Sequence, residues 1–167
     1  MTHSTATAPN IEASDLATAF RAAMANICTP VSVVTTVEDG RPHGTTVSAF
    51  ASLSMSPPMV LVALDSESHL LTIVRRTERF EVNVLAAGQA AVAARFATKG
   101  PDKFEGIAWQ LHDDVARLDD VSVWVSCHIA NIVEGGDHLV LLGDVMSVET
   151  NGAAPLTYHG RTFGTHA

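Results

Sequence analysis

Leu16, Phe20, Met24 and Ile27 recur at helical spacing behind Ser14. That pattern predicts a helix of about three turns with Ser14 as its N-cap, stopped by Pro30. From Val31 the period changes. Val31 to Val37 is β-branched and strand-like, and Glu38 to Gly44 is a turn with Asp39-Gly40 as its tightest signal. A second strand is expected from Thr45 through Ser54, and Pro57-Pro58 punctuates it. Met59 to Leu64 is an unbroken apolar run and reads as a fully buried third strand. Leu70, Leu71 and Val74 predict a short helix, Phe80 to Leu85 a strand, and Ala90 to Ala97 a helix broken by Gly100-Pro101.

The last third is mostly strand. Val123, Val125, Cys127 and Ile129 alternate with positions that include Ser122, Ser126 and His128, so Val121 to Val133 predicts a strand with one polar face. Glu134 to Asp137 is a hairpin turn, His138 to Val148 is the returning strand, and Pro155 to Tyr158 closes the pattern. Residues 1–13 lack periodicity and read as a disordered lead, leaving 14–167 as a single domain. Six or more strands with short helices at the margins predict a mainly β fold, an antiparallel barrel with flanking helices.

Composition narrows the function. The 167 residues are 47% hydrophobic and 17% charged, enough apolar material for a real core. The formal charge of −8 argues against a nucleic-acid binder, which needs a basic patch to meet phosphates. Cys28 and Cys127 lie far apart and read as two reduced, buried thiols, which suits a cytoplasmic protein. No secretory leader pattern and no apolar run of membrane-spanning length is visible, so no membrane association is expected. The histidines are scattered without zinc-type spacing, so no metal is expected. A dinucleotide-binding Gly-x-Gly-x-x-Gly pattern, a phosphate loop and a Gly-x-Ser-x-Gly elbow are all missing.

Three segments carry candidate chemistry. Period-two spacing places Thr46, Ser48, Ser52 and Ser54 on one face, with Phe50 between them. Such a row of hydroxyls can donate to phosphate or to a polyol, and equally suits an ordinary solvated strand face. Glu134-Gly-Gly-Asp-His138 sets a histidine at a strand rim behind a flexible turn, where it can meet a carboxamide or simply face solvent. Arg95, with Lys99 nearby, could neutralise a phosphate or be a plain helix-face cation.

The ordered set is wider than these three. It runs Thr-Pro-Val-Ser-Val-Val-Thr-Thr from Thr29, Gly44 to Ser54, Pro57-Pro58, Phe80 to Leu85, Arg95-Phe-Ala97, Asp102-Lys-Phe104, Gly136-Asp-His138 and Pro155 to Tyr158. Over about residues 16–165 this resembles the short-chain flavin reductases, the reductase components of two-component flavin-dependent monooxygenases. The resemblance implies an FMN-binding split barrel, a homodimer, and hydride transfer from NADH or NADPH to FMN or FAD. It implies flavin along Thr46, Ser48, Ala49, Ser52 and Ser54, with Ser68, Phe96 and Tyr158 as further contacts. It also implies that Gly136, Asp137 and His138 meet the nicotinamide nucleotide, with His138 orienting it for reaction. Members of the family often carry a basic residue near Ser68, where this chain has His69. A monooxygenase receiving reduced flavin is the implied partner. A split-barrel flavoprotein oxidase and a non-enzymatic flavin carrier are the alternatives.

Overall fold

The computed structural model describes residues 13–166, so the expected disordered lead lies almost wholly outside the described residues. The chain opens with α1 (Ala13–Ala25), β1 (Thr29–Pro30), β2 (Ser32–Glu38), β3 (Arg41–Val47), β4 (Phe50–Met55) and β5 (Pro58–Asp65). It continues with α2 (His69–Thr77), β6 (Arg79–Val84), α3 (Ala90–Ala97), β7 (Trp109–His112) and β8 (Val115–Leu118). It ends with β9 (Val123–Gly135), β10 (His138–Thr150), β11 (Leu156–His159) and β12 (Thr162–Thr165).

Seven strands form one sheet in the order β3-β2-β6-β9-β10-β5-β4, and every pairing in it is antiparallel. β3 and β4 are its two edges although they are neighbours in sequence, joined through Ser48 and Ala49. The sheet therefore curls towards closure but is not paired along that seam, which is the expected split barrel. The Ala63 N–H donates to the Ala49 carbonyl at 3.0 Å and holds the seam against β5.

Two cores lie on opposite faces of the sheet, and strand periodicity assigns residues to each. On β2, Val34 joins the first core with Val62, Phe80, Val82, Val125 and Leu141, closed by Leu70, Leu71 and Val74 of α2. Its neighbour Val33 joins the second core with Ala93 and Phe96 of α3, Leu118 of β8, Trp124 of β9 and Leu156 of β11. Asn83 fixes the β7–β8 hairpin over this second face. Its side-chain nitrogen donates to the Val33 carbonyl at 3.1 Å and to Thr35 Oγ1 at 3.0 Å, and its oxygen accepts from the Leu118 N–H at 2.9 Å. All the hydrogen-bonding capacity of a buried amide is nearly used, which keeps its burial from being destabilising.

Several expectations change. The helix already includes Ala13, so Ser14 lies in its first turn and is not the cap, and Ile27 falls just beyond its end. The Thr45–Ser54 strand is two strands, interrupted at Ser48-Ala49. β5 is not buried on both faces but alternates, because only one of its faces meets the first core. The face of β9 read as polar carries Trp124, 1% exposed, because the β7–β8 hairpin covers it. Cys127 is buried as expected, with burial pushing its thiol up to about 12, whereas Cys28 is exposed. Four short strands were not anticipated from the pattern: β1, the β7–β8 hairpin and β12.

Candidate active site

β3 is an edge strand, so its outer side is not covered by another strand. α3 packs on it instead, and the approach requires Gly44. A Cβ there would stand 2.9 Å from Phe96 Cε1 and 3.2 Å from Thr35 Cγ2. The Thr46 hydroxyl adds a bond to the Ala93 carbonyl at 2.7 Å. Beside this seam opens a cleft of about 1110 Å³, lined by β3 from Arg41 to Thr45, by the start of α2 with Ser68 and His69, and by residues 97–105 after α3. That volume lies just above the usual range of small-molecule sites, about 300–1,000 Å³.

The cleft gathers charged groups of both signs, Arg41, Lys99 and Lys103 with the acids Asp65, Glu67, Asp102 and Glu105, and two histidines, His43 and His69. Lys103 is half-buried, and its ammonium donates to the Gly44 carbonyl at 3.1 Å and the Phe96 carbonyl at 3.0 Å. Neither acceptor is a carboxylate, and burial pushes its pKa below the usual lysine range. His43 and His69 face each other with ring centroids 5.8 Å apart. Burial, reinforced by His69, holds the His43 imidazole below the ordinary histidine value. Arg76 is not free for a ligand, because it grips the Glu38 carboxylate bidentately at 2.7 and 2.8 Å. That grip holds Glu38 below the usual carboxylate range.

The β9–β10 hairpin lies at the neighbouring corner. Gly135 pairs with His138, so only Gly136 and Asp137 make the turn, and Gly136 has φ of 71°. His138 also pairs with Asp65 of β5, and the Ser66 N–H donates to the Asp137 carbonyl at 3.0 Å. The hairpin is thus tied to the loop that leads to Ser68. His138 Nδ1 lies 2.7 Å from Asp137 Oδ1, its side chain is 41% exposed, and the contact holds the Asp137 carboxyl below its usual range.

The expected site residues divide into groups. Ser68 lines the cleft, and Gly136, Asp137 and His138 adjoin it through Ser66. Ser48 and Ala49 are exposed at the break between β3 and β4. Ser52 and Ser54 sit on β4 beside a bulge, where Ser54 Oγ accepts from the Ser56 N–H at 3.2 Å. The strand break and the bulge remove the single hydroxyl row expected from strict alternation, and the Thr46 hydroxyl is already committed to Ala93. Phe96 is corrected from contact to core: it is fully buried, with Phe104 edge-on at 4.8 Å. Tyr158 lies in the separate β1-β11-β12 sheet against Phe163 and does not line the cleft. Arg95, open between a phosphate cation and a helix-face cation, is engaged within the chain. Its guanidinium donates to the Asp102 carbonyl at 2.7 Å and the Glu105 carbonyl at 3.3 Å, fastening the loop that presents Lys103. Lys103 and His43 were passed over as site residues, and the only signal for Lys103 was its place in Asp102-Lys-Phe104.

Comparison with known proteins agrees with this fold. A family model described as flavin reductase like domain matches residues 24–167. The reductase component of a 4-nitrophenol 4-monooxygenase/4-nitrocatechol 2-monooxygenase from Rhodococcus opacus is 34% identical over 145 residues, covering 87% of this chain and 78% of that protein. An NADH:riboflavin 5'-phosphate oxidoreductase from Streptomyces pristinaespiralis is 37% identical over 151 residues, covering 87% of this chain and 86% of the other. Among solved structures, nitrilotriacetate monooxygenase component B from Mycobacterium thermoresistibile superposes with a TM-score of 0.87 at 33% identity, over 93% of this chain and 89% of that one. A Streptomyces globisporus NADH:FAD oxidoreductase in complex with NAD and FAD fragments gives a TM-score of 0.87 at 28% identity, over 96% and 98%. With fold and relatives in agreement over nearly its whole length, the chain belongs to the flavin reductase like domain family.

Proposed function

We propose that this protein is an NAD(P)H:flavin oxidoreductase that supplies reduced FMN or FAD to a separate flavin-dependent monooxygenase. The observation that carries the reading is the cleft itself: about 1110 Å³ at the open edge of β3, with Lys103 held there by carbonyls alone and the His138 hairpin at its corner. The residues present fit a phosphorylated, ring-bearing ligand, since Lys103, Ser68 and two histidines stand in the lining beside its acids and the volume exceeds a single small metabolite. Bound flavin supplies the hydride-accepting ring, and the nicotinamide supplies the hydride.

The chain's own part is placement. No nucleophile is required, because holding two rings in a reactive stack is the main catalytic effect. Ser68 and the backbone around it hold one end of the ligand. Asp137 holds the His138 ring through the 2.7 Å contact, so that His138 can hydrogen-bond the nicotinamide carboxamide. Ser48, Ala49, Ser52 and Ser54, exposed or half-buried at the β3–β4 seam, offer further polar contacts to the flavin.

The reading includes a homodimer. Leu16, Phe20, Met24 and Ile27 form an apolar stripe with exposures of 58%, 61%, 44% and 50%, more than an isolated subunit leaves bare without reason. A second subunit would cover that stripe and complete the flavin site. Residues 14–167 are read as one domain, and the exposed Cys28 thiol fits a reducing cytoplasm. No helix among the described residues is long and apolar enough to cross a membrane.

A steady-state assay crossing NADH and NADPH with FMN and FAD tests the activity, with flavin bleaching followed anaerobically. Turnover with one nicotinamide and one flavin is the expected outcome. Flavin binding without bleaching by either nucleotide would return the carrier alternative, and bleaching by a different small donor would return the oxidase.

A further inference from the structure

We propose that Glu81 is a proton-operated latch beneath the β7–β8 hairpin: the neutral carboxyl lets the hairpin lie shut on the second core, and loss of its proton lets the hairpin lift. The consequence for the cleft rests on the reading above that the cleft holds flavin.

Among the described residues, five buried side-chain polar atoms lack a hydrogen-bond partner, and four of them belong to this hairpin and the surface beneath it. They are both carboxylate oxygens of Glu81, Trp124 Nε1 and His112 Nδ1. Buried polar groups are nearly always paired, so such a cluster calls for a reason. Glu81 is fully buried on β6, between Thr35 of β2 and Ser126 of β9, and shares its face with Asn83 two residues on. β8 lies over that face. The hairpin that covers it is lightly built. Its strands have four residues each, and its turn is Asp113-Asp114, with φ of 46° and 65° where glycine or asparagine is preferred. Side chains from below hold it by polar bonds. Thr35 donates to the Ala116 carbonyl, Asn83 Oδ1 accepts from the Leu118 N–H at 2.9 Å, and Arg79 donates to the Asp113 carbonyl at 3.1 Å. An element fastened in this way is one that opens locally, ahead of the whole fold.

A neutral carboxyl tolerates this place; a carboxylate needs donors that the shut hairpin does not bring. Arg117 of β8 is engaged with Glu149 of β10 at 2.7 Å and lies over the Trp124 ring at 4.7 Å. His112 of β7 stands edge-on to Trp124 at 4.5 Å, with Asp113 Oδ2 3.8 Å from its Nδ1. Asp113 opposes a charge on Glu81, and Asp114 beside it adds no donor. On β9, Cys127 keeps its proton and His128 Nδ1 lies 3.3 Å from the Ile129 carbonyl. Burial outweighs Trp124 and Arg117 and pushes the Glu81 carboxyl up to about 8. Once the hairpin lifts, water returns the carboxyl towards its ordinary 4.5. Opening therefore releases a proton between those values, becomes about tenfold easier per pH unit across that window, and changes no further above it.

The hairpin is also joined to the cleft. Trp109 of β7 lies 5.7 Å from Phe104, and Phe104 lines the cleft and stands edge-on to Phe96 at 4.8 Å. Lifting β7 loosens the loop that carries Lys103, and a ligand that braces the loop holds the hairpin down.

Amide hydrogen exchange on the full chain tests this from about pH 5.5 to 9, corrected for the intrinsic rate and repeated in low urea. Protected amides of residues 109–118 should lose protection about tenfold per pH unit up to about 8 and no more beyond, with a slope that low urea leaves unchanged. Glu81→Gln and Glu81→Met, each checked for an intact melting transition, should abolish the slope; either one that folds suffices. Hairpin amides that share the urea dependence of β5 and β10 overturn the latch. So does a slope that survives in a folded variant, which would assign the titration to His112 or Asp113. At pH 7, free FMN at about a hundred times its Kd should raise hairpin protection from severalfold to about a hundredfold. Unchanged protection with FMN bound overturns the link to the cleft. If FMN does not bind, the reading of the cleft has failed, and the slope and the variants still decide the latch.

Discussion

Two residues show how a side chain's meaning depends on what the fold brings to it. Arg95 and Lys103 are both cations near Phe96 in sequence, and nothing in their spacing separates anchor from ligand group. The turn at Gly100-Pro101 folds the chain back, so Arg95 fastens the loop through the Asp102 and Glu105 carbonyls while Lys103 reaches the cleft. For His138 the pattern set the position behind a tight Gly136-Asp137 turn, and the structure keeps it there, while its role rests on the proposal above. His138→Ala is expected to raise KM for the nucleotide and slow flavin reduction, roughly fivefold in kcat/KM for one lost neutral hydrogen bond. Anaerobic rapid mixing measures it, and a parental rate at every nucleotide concentration would remove His138 from the site. Asp137→Asn tests the pair separately: it should reproduce part of that loss with little change in flavin affinity. Glu81 is a residue no pattern flagged. It is fully buried with both carboxylate oxygens unpartnered, and burial pushes its carboxyl up to about 8, only partly opposed by Trp124 and Arg117. The folded state therefore holds a proton that the unfolded chain releases near its ordinary value of 4.5. Stability should fall as pH rises from about 4.5 to about 8 and level off above that. Glu81→Gln should flatten this slope in urea melts across that range, with a gain of a few kcal/mol at most on the alkaline side. An unchanged slope would mean the carboxyl is not what titrates.

At the level of elements, periodicity found strands wherever one face met a core and the other met solvent. It misjudged β9 because a second layer covers the supposedly wet face, and alternation cannot report a lid contributed from elsewhere in the chain. It merged β3 with β4 because the interruption is only two residues long and carries Ser and Ala, which offend neither pattern. It missed β7 and β8 because four-residue strands give too few repeats to register. The seam between α3 and β3 was also invisible, being a matter of distance between elements, yet Gly44 records it. Gly44→Ala should cost about 1–3 kcal/mol of stability, since Phe96 or the helix must yield to the new methyl. A melting curve indistinguishable from the parent would show that α3 can move aside freely.

For the molecule as a whole, charge, apolar content and the order of strands were enough to anticipate a mainly β barrel, because those depend on averages. Assembly depends on surface, and the α1 stripe read simply as a helix until its neighbours were known. The Gly160 N–H donates to the Ala25 carbonyl at 2.8 Å, so the end of α1 is tethered to the β11–β12 turn while its apolar side is left outward. Sedimentation should show a dimer, and Phe20→Glu with Met24→Glu should shift it towards monomer and weaken flavin binding. A monomeric parent with full activity would contradict the assembly.

The cleft beside β3 has a further consequence for the protein's solution behaviour. A strand edge left unpaired is a template on which a foreign strand can add, and proteins discourage this by placing charge or a cover along it. Here the cover is the 97–105 loop, and Lys103 occupies the Gly44 carbonyl, an acceptor that an incoming strand would need. Ligand in the cleft would block the same approach from the other side. The flavin-free protein should thus aggregate sooner than the flavin-bound one on prolonged warming below its melting point, by a route that starts at an intact edge and needs no unfolding.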